Sequence, residues 1–260
     1  MSSLVRWGCC VNDEEPLRGG NASGSVVRIG ETVRKPWSAS TASVVAFVEA
    51  LRAAGVDAPA PMGRDERGRQ VQEFVPGKLA IHADPLSRAD LHRVGGMVRA
   101  IHDASATYLP PDDAVWKTAI PAPASEFVCH NDLAPWNLLV GDRWLFIDWD
   151  AAAPSTRLWD LAYSAQAFTL SDTSRDSRLA ADALSAFVDG YQADDNMRRL
   201  LPDAMAERTA AMCNLLRASH DAGEEPWASM FTAGHGDHWS SADDYVRTHR
   251  TTWLEALLPT

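Results

Sequence analysis

Four side chains with the residue types of phosphoryl-transfer chemistry fall within one short stretch, 128–150, which reads Val-Cys-His-Asn-Asp-Leu-Ala-Pro-Trp-Asn-Leu-Leu-Val-Gly-Asp-Arg-Trp-Leu-Phe-Ile-Asp-Trp-Asp. They are His130, Asp132, Asn137 and Asp148, spaced as His-x-Asp-x-x-x-x-Asn followed by an apolar strand that ends in Asp. Moving a phosphoryl group asks mainly for positioning and for neutralised charge. Asp132 suits a base that takes the proton of an attacking hydroxyl or orients it. Asn137 and Asp148 offer hard oxygens to Mg²⁺, with Asp148 bridging the metal to the phosphates of ATP or GTP. His130 reads as structural support for the loop backbone. A plain Asn-Asp turn with exposed acids would need these positions to coincide by chance.

Such a stretch needs a nucleotide cradle, and residues 17–36 are written as a pair of hairpins: a Gly/Ser/Asn turn, a β-branched run, a Gly-Glu turn and a second strand ending at Pro36. Free backbone N–H groups around Gly20 and Gly24, with the hydroxyls of Ser23 and Ser25, suit phosphates. Strand alternation puts Val33 and Lys35 on one face, an apolar cover for a base beside an ammonium that reaches its phosphates, and sends Arg34 the other way. The spacing predicts a helix over Ser38–Ala54, capped by Ser38 or Ser40, with Val44, Phe47, Val48 and Leu51 as its apolar stripe. Glu49 lies off that stripe, where it either pairs with Lys35 or faces water. Residues 56–69 read as an irregular connection and Gln70–Pro76 as a strand, with the backbone of Glu73–Val75 facing an adenine edge.

Beyond residue 76 the chain reads as mostly helical. Asp84-Pro85 has the form of an N-cap followed by proline, and opens a helix that reaches about Ala106. Gly95-Gly96 inside it predicts close helix packing. His102 and Asp103 read as packing and capping residues, and 108–124 as a loop. Four further helices are expected: one capped by Ser155, one over Ser177–Tyr191, one starting near Pro202 and one over Ala242–Leu258. Between the last two lie Asp221, Glu224, Glu225, Trp227, Asp237 and Trp239, candidate contacts for a cationic acceptor.

The 260 residues are 46% hydrophobic and 23% charged, the balance of a globular chain with an ample core. Net charge is −11, distributed as 0 over residues 1–75, −4 over 76–150 and −7 over 151–260. This argues against nucleic acid as a partner and leaves room for a cationic ligand toward the C-terminus. No apolar run approaches the roughly 20 residues of a membrane span, and the first residues lack a signal-peptide layout, so the expectation is a cytoplasmic protein without membrane contact. Cys9, Cys10, Cys129 and Cys213 have no C-x-x-C spacing and read as reduced thiols.

The stretch His130-Asn-Asp-Leu-Ala-Pro-Trp-Asn-Leu-Leu-Val, then Ile147-Asp-Trp-Asp and Pro154-Ser-Thr-Arg-Leu-Trp-Asp-Leu-Ala, resembles the aminoglycoside phosphotransferase family, small-molecule kinases of protein-kinase-like fold. The resemblance extends from about Leu17 to Leu258. It implies an α+β, two-lobed fold: a small β-rich nucleotide-binding lobe over 1–75, with 1–16 as a lead-in, and a larger, mostly helical catalytic lobe over 76–260. It implies Asp132 as catalytic base, Asn137 and Asp148 as Mg²⁺ ligands and Lys35 on the phosphates. Asp150 would support the metal site, and Asp160 would hold the catalytic loop. The expected activity is transfer from ATP or GTP to a hydroxyl of a small polar molecule, possibly cationic, by a monomer or weak dimer. An antibiotic such as an aminoglycoside fits, yet the Arg-x-Gly-x-Ala-Asp-Arg form of 3′-hydroxyl aminoglycoside kinases is absent before Asp160. A primary metabolite such as choline, homoserine or a sugar-like compound fits as well. A different reading is a nucleotide-binding module of the same fold without turnover.

Overall fold

Short β-branched runs punctuated by turn residues make a sheet of the described strands before residue 75. In the computed structural model, which describes residues 14–17 and 26–258, β1 (Glu15–Pro16), β2 (Val27–Ile29), β3 (Thr32–Lys35), β4 (Pro61–Arg64) and β5 (Gln70–Glu73) form one antiparallel sheet in the order β1-β2-β3-β5-β4. Gly30, at φ +59°, closes β2 onto β3. Alternation along β3 buries Val33 and Lys35 and turns Arg34 toward Asp65, 3.6 Å away. The stretch 56–69, expected as a plain connection, contains β4. Pro61 is tolerated there because β4 is the sheet's edge, paired only with β5 across an irregular register.

Helix α1 (Thr41–Ala53) buries the expected stripe Val44, Phe47, Val48 and Leu51. It begins three residues later than the sequence suggested. Ser40 makes no side-chain cap; instead the Thr41 hydroxyl accepts the Ser38 N–H at 2.9 Å.

After the link, β6 (Lys78–Leu79) pairs with β8 (Leu138–Val140), which pairs with β9 (Leu145–Phe146), and β7 (Phe127–Cys129) pairs with β10 (Ala153–Ser155). The helices are α2 (Arg88–Ser105), α3 (Arg157–Thr169), α4 (Ser177–Tyr191), α5 (Asp195–Ala222), α6 (Trp227–Met230), α7 (Gly236–Thr248) and α8 (Arg250–Leu257). Several ends differ from expectation for local reasons. Ser87 rather than Asp84 caps α2, because Ser87 and Asp90 satisfy each other's backbone N–H groups in a capping box. Thr156 rather than Ser155 caps α3, Ser155 being held in β10. Helix α5 starts at Asp195, with the Asp194 carboxylate accepting the Met197 N–H at 2.8 Å, and runs through Pro202, which removes one N–H from the ladder. The final expected helix is two, broken at His249.

Gly95 sets the packing of α2 on α4. A Cβ there would overlap the Phe187 carbonyl oxygen and approach the Tyr191 nitrogen to 2.8 Å; one at Gly190 would overlap the His92 carbonyl. The two backbones therefore touch, and Tyr191 is carried against His102 on the neighbouring helix. Phe47, Leu133, Leu138, Leu161 and Leu184 are fully buried in the continuous core, Leu133 coming from the stretch between β7 and β8 and Leu138 from its end, where β8 starts.

Candidate active site

The loop between β7 and β8 carries Asp132 and Asn137, and the residues just after β9 carry Asp148 and Asp150. Within residues 127–153 two residues have left-handed backbones, Asn131 at φ +64° and Asp148 at φ +58°. Asn131 is pinned on both sides. Its backbone N–H donates to Asp160 Oδ1 at 2.9 Å, and its side-chain amide donates to the carbonyls of Ala151 and Ala153 at 3.2 and 3.1 Å. Asn and Asp tolerate this conformation better than other non-glycine residues, which accounts for their use at the two bends.

His130 sits fully buried at the centre of the loop. Its Nδ1 accepts the Asp132 N–H at 3.2 Å, which leaves Nε2–H to donate to the Ile147 carbonyl at 3.2 Å. The ring thus ties the catalytic loop to the strand leading into Asp148, and burial lowers its pKa, in keeping with a neutral ring. Asp160 does the second tie: besides Asn131 it meets His102 Nε2 at 3.0 Å, and His102 Nδ1 accepts the Tyr191 hydroxyl at 2.8 Å. His102, Cys129 and Asp160 each bring a potential metal ligand within 4.8 Å of the others. Both ring nitrogens and both carboxylate oxygens are already hydrogen-bonded, so the trio is scaffold.

Asp132 receives the Tyr163 hydroxyl on Oδ1 at 2.8 Å and the Asn137 amide on Oδ2 at 2.8 Å. Desolvation pushes its pKa up to about 7, against the pull of the Tyr163 hydrogen bond, with the nearby Asp148 charge adding to the rise. Arg208, almost fully buried, lies 4.2 Å above the Tyr163 ring. Tyr163 and Asn131 were not singled out in the sequence. Tyr163 stands three residues after Asp160, so the same face of α3 serves both ties; that spacing was the available signal.

Lys35 reaches across from the sheet and places Nζ 2.6 Å from Asp150 and 3.5 Å from Asp148. Burial pulls the ammonium's pKa down, but the two carboxylates outweigh it and hold it above its ordinary value. Glu49 is therefore not its partner. It is exposed on the outer face of α1, as its place off the apolar stripe allows, while Asp150 takes the position beside Lys35 rather than beside Asn137.

Two cavities meet at Asn137 and Asp148. One, of about 320 Å³, is lined by Val33, Lys35, Glu73, Val75, Leu139 and Ile147. The Glu73 and Phe74 N–H groups are spent on Ala60 and Glu31, and the Ala60 N–H goes to the Glu73 carboxylate at 3.0 Å. Gly20, Ser23, Gly24 and Ser25 lie outside the described residues, as do Cys9 and Cys10. The other cavity, of about 690 Å³, holds Asp132 and is walled by Trp136, Met212, Trp227, Met230 and Trp239, with His82, His235 and His238 among its polar lining. Of the candidate acceptor contacts, Trp227 and Trp239 line this cavity. The acids do not: Asp221, Glu224, Glu225 and Asp237 are exposed and line neither cavity. Glu225 instead accepts the Ser229 hydroxyl at 2.7 Å and its N–H at 3.2 Å, at the start of α6. The short α6 carries Trp227, Ala228 and Met230 toward the core, and the acids of the segments that flank it are left to water.

Asn137 Oδ1 and the Asp148 carboxylate are hard oxygen donors at the seam of the two cavities, and the Asn137 amide nitrogen is already used by Asp132. That donor set fits Mg²⁺.

A sheet lobe and a helical lobe meet over this loop. The model of the phosphotransferase enzyme family matches residues 112–202, the segment that contains Asp132, Asn137, Asp148 and Asp160. In sequence the chain is 28% identical over 265 residues to the trifolitoxin immunity protein of Rhizobium leguminosarum bv. trifolii, covering 94% of this chain and 95% of that one. In structure it is similar to the amicoumacin kinase hAmiN in complex with AMP-PNP, Ca²⁺ and Ami, with a TM-score of 0.67, 14% identity and coverage of 89% and 88% of the two chains. It is likewise similar to a microcompartment-associated aminopropanol kinase, with a TM-score of 0.65, 14% identity and coverage of 94% of both chains. The structural matches show the two-lobed α+β fold, and the family model matches the segment of it that carries the β7–β8 loop and the residues after β9. Among the described residues, no helix is long and apolar enough to cross a membrane.

Proposed function

We propose that this protein transfers the terminal phosphoryl group of ATP or GTP to a hydroxyl of a small molecule bound in the larger cavity. The observation that carries this reading is the convergence of Asp132, Asn137, Asp148 and Lys35 where the two cavities meet. The nucleotide lies in the smaller cavity, its base against Val33 and Val75 and its edge on the Glu73 carbonyl and the Val75 N–H. Lys35 holds its phosphates, releasing Asp148 to the metal. Asn137 and Asp148 would hold Mg²⁺, which would supply positive charge against that building on the transferred group.

Asp132 takes the proton of the acceptor hydroxyl. Tyr163 and Asn137 each occupy one of its oxygens and so fix the carboxylate plane toward the cavity. Asp160 and His130 hold the loop and touch no substrate. The names of the amicoumacin kinase and the trifolitoxin immunity protein support an antibiotic or toxin as acceptor. Asp132→Ala should lower acceptor-dependent nucleotide turnover by about 10³-fold or more while leaving Mg-nucleotide binding within about threefold, measured by a coupled assay and calorimetry. Chelation of divalent metal should abolish turnover in the native protein. Undiminished turnover in Asp132→Ala would overturn the mechanism.

A further inference from the structure

The acceptor cavity has a chemical character at odds with the charge of the chain around it. The protein carries a net charge of −11, and its acidic surface would by itself favour a cation. Yet among the described residues the only carboxylates lining the cavity are Asp132 and Asp148, both assigned above to the transfer chemistry. Every acid of the 221–237 segment faces water instead. What lines the cavity is Trp136, Met212, Trp227, Met230 and Trp239, faced by Leu79 on the linker side.

An aromatic box for a small ammonium would have a different shape. Such a box encloses its cation on several ring faces. Here Trp239 is stacked on Tyr163, with centroids 6.2 Å apart and planes 12° apart, so one of its faces is taken, and Trp136 meets Tyr163 at 73°. Size decides further: about 690 Å³ is the volume of a site for a drug-sized ligand, and a choline-sized ammonium would leave most of its apolar wall wet. The polar groups at the rim are imidazoles, and burial together with the His235 charge lowers the His238 pKa. Imidazoles offer hydrogen bonds to carbonyls, amides and hydroxyls, and neither their neutral nor their protonated form gives a cation a counter-charge.

We infer that the acceptor is a drug-sized, largely apolar alcohol without net positive charge, bearing aromatic or extended aliphatic surface that packs on Trp227, Met230 and Met212 and neutral polar groups that meet His235 and His238. This rests on the phosphotransferase reading above and narrows its acceptor. The same cavity disfavours polycations and small amino alcohols, because their ammonium groups would be desolvated without a carboxylate to receive them.

The test compares two acceptor panels in one nucleotide-turnover assay with the full-length protein and Mg-ATP. One panel is chloramphenicol, erythromycin's neutral aglycone and aryl-substituted diols; the other is kanamycin, choline and ethanolamine. The best apolar acceptor should exceed every cation by about tenfold or more in kcat/KM, and Trp227→Ala should raise its KM about tenfold with kcat little changed. Trp227→Glu, which supplies a carboxylate, should shift the ratio toward kanamycin by about tenfold. Equal or better turnover of kanamycin, choline or ethanolamine by the native protein overturns the inference while leaving the phosphotransferase reading intact. So does a failure of the apolar panel both to be phosphorylated and to perturb the tryptophan fluorescence. Loss of the phosphotransferase reading has its own signature: turnover that survives Asp132→Ala.

Discussion

At the level of single residues the site is a compromise between chemistry and stability, and Asp132 shows it most directly. Desolvation raises its folded pKa to about 7, above an unfolded value near ~3.9, so the folded state binds the proton more tightly. Stability on this account falls as pH rises through the window from about 4 to about 7, and the penalty is complete above it. The carboxylate still faces an open cavity, so water relieves part of the cost. Asp132→Asn should therefore stabilise the protein by about 1–2 kcal/mol near pH 8, a rise in Tm of about 3–6 °C, with the gain shrinking toward pH 5. A gain of equal size at both pH values would assign it to something other than this charge. In the native enzyme the acid limb of kcat/KM should lie at or below about pH 7, since metal on Asp148 removes the neighbouring charge that contributes to the rise. The residue types behind this behaviour were legible because His130, Asp132, Asn137 and Asp148 sit within nineteen positions of one another. Tyr163 and Lys35's carboxylate partners were not, because they come from other elements and a contact across 31 or 115 positions leaves no local spacing to read.

Elements position these groups through backbone contacts that tolerate no extra atom. Helix α2 meets α4 at Gly95 and Gly190, and that approach places the Tyr191 hydroxyl on His102, His102 on Asp160 and Asp160 on the catalytic loop. Gly95→Ala would gain helix propensity, yet its methyl overlaps the Phe187 carbonyl, and overpacking outweighs propensity. The expected result is a loss of about 2–3 kcal/mol, or about 4–12 °C in Tm, against no loss for Gly96→Ala, whose Cβ would find its nearest neighbour at 3.5 Å. Thermal melts of both variants check it. The pair Gly95-Gly96 announced close packing in the sequence. Which of the two makes the contact depends on helix rotation, and the sequence does not carry that. Helix boundaries were missed for a similar reason. Asp84-Pro85 and Pro202 are strong local signals, but the capping box at Ser87 and the Asp194 cap satisfy more backbone donors, and tertiary burial of Pro202 carries α5 through it.

For the molecule as a whole, the question is what keeps the sheet lobe registered over the catalytic loop. Lys35 bridges to Asp148 and Asp150 from one side, and this bridge must rearrange when phosphates arrive. A second bridge has no such duty. Arg143, in the turn between β8 and β9, donates to Asp57 at 2.5 and 3.1 Å and to Glu73 at 2.5 Å, so one guanidinium joins the turn to the loop after α1 and to the end of β5. The Glu73 carboxylate also accepts the Ala60 N–H, and Glu73 lines the smaller cavity. The Arg143 side chain is 38% exposed, so water and salt screen the network, and its contribution to stability is about 1 kcal/mol or less. Its effect should instead appear in nucleotide binding, because Glu73 lines the smaller cavity, where the proposed function places the base. Arg143→Ala is expected to raise KM for the nucleotide about three- to tenfold with kcat within about twofold, and the native KM should climb with salt while that of the variant stays nearly flat. A variant that keeps the native KM and its salt dependence would show that the sheet lobe is held by the Lys35 bridge and the buried core alone.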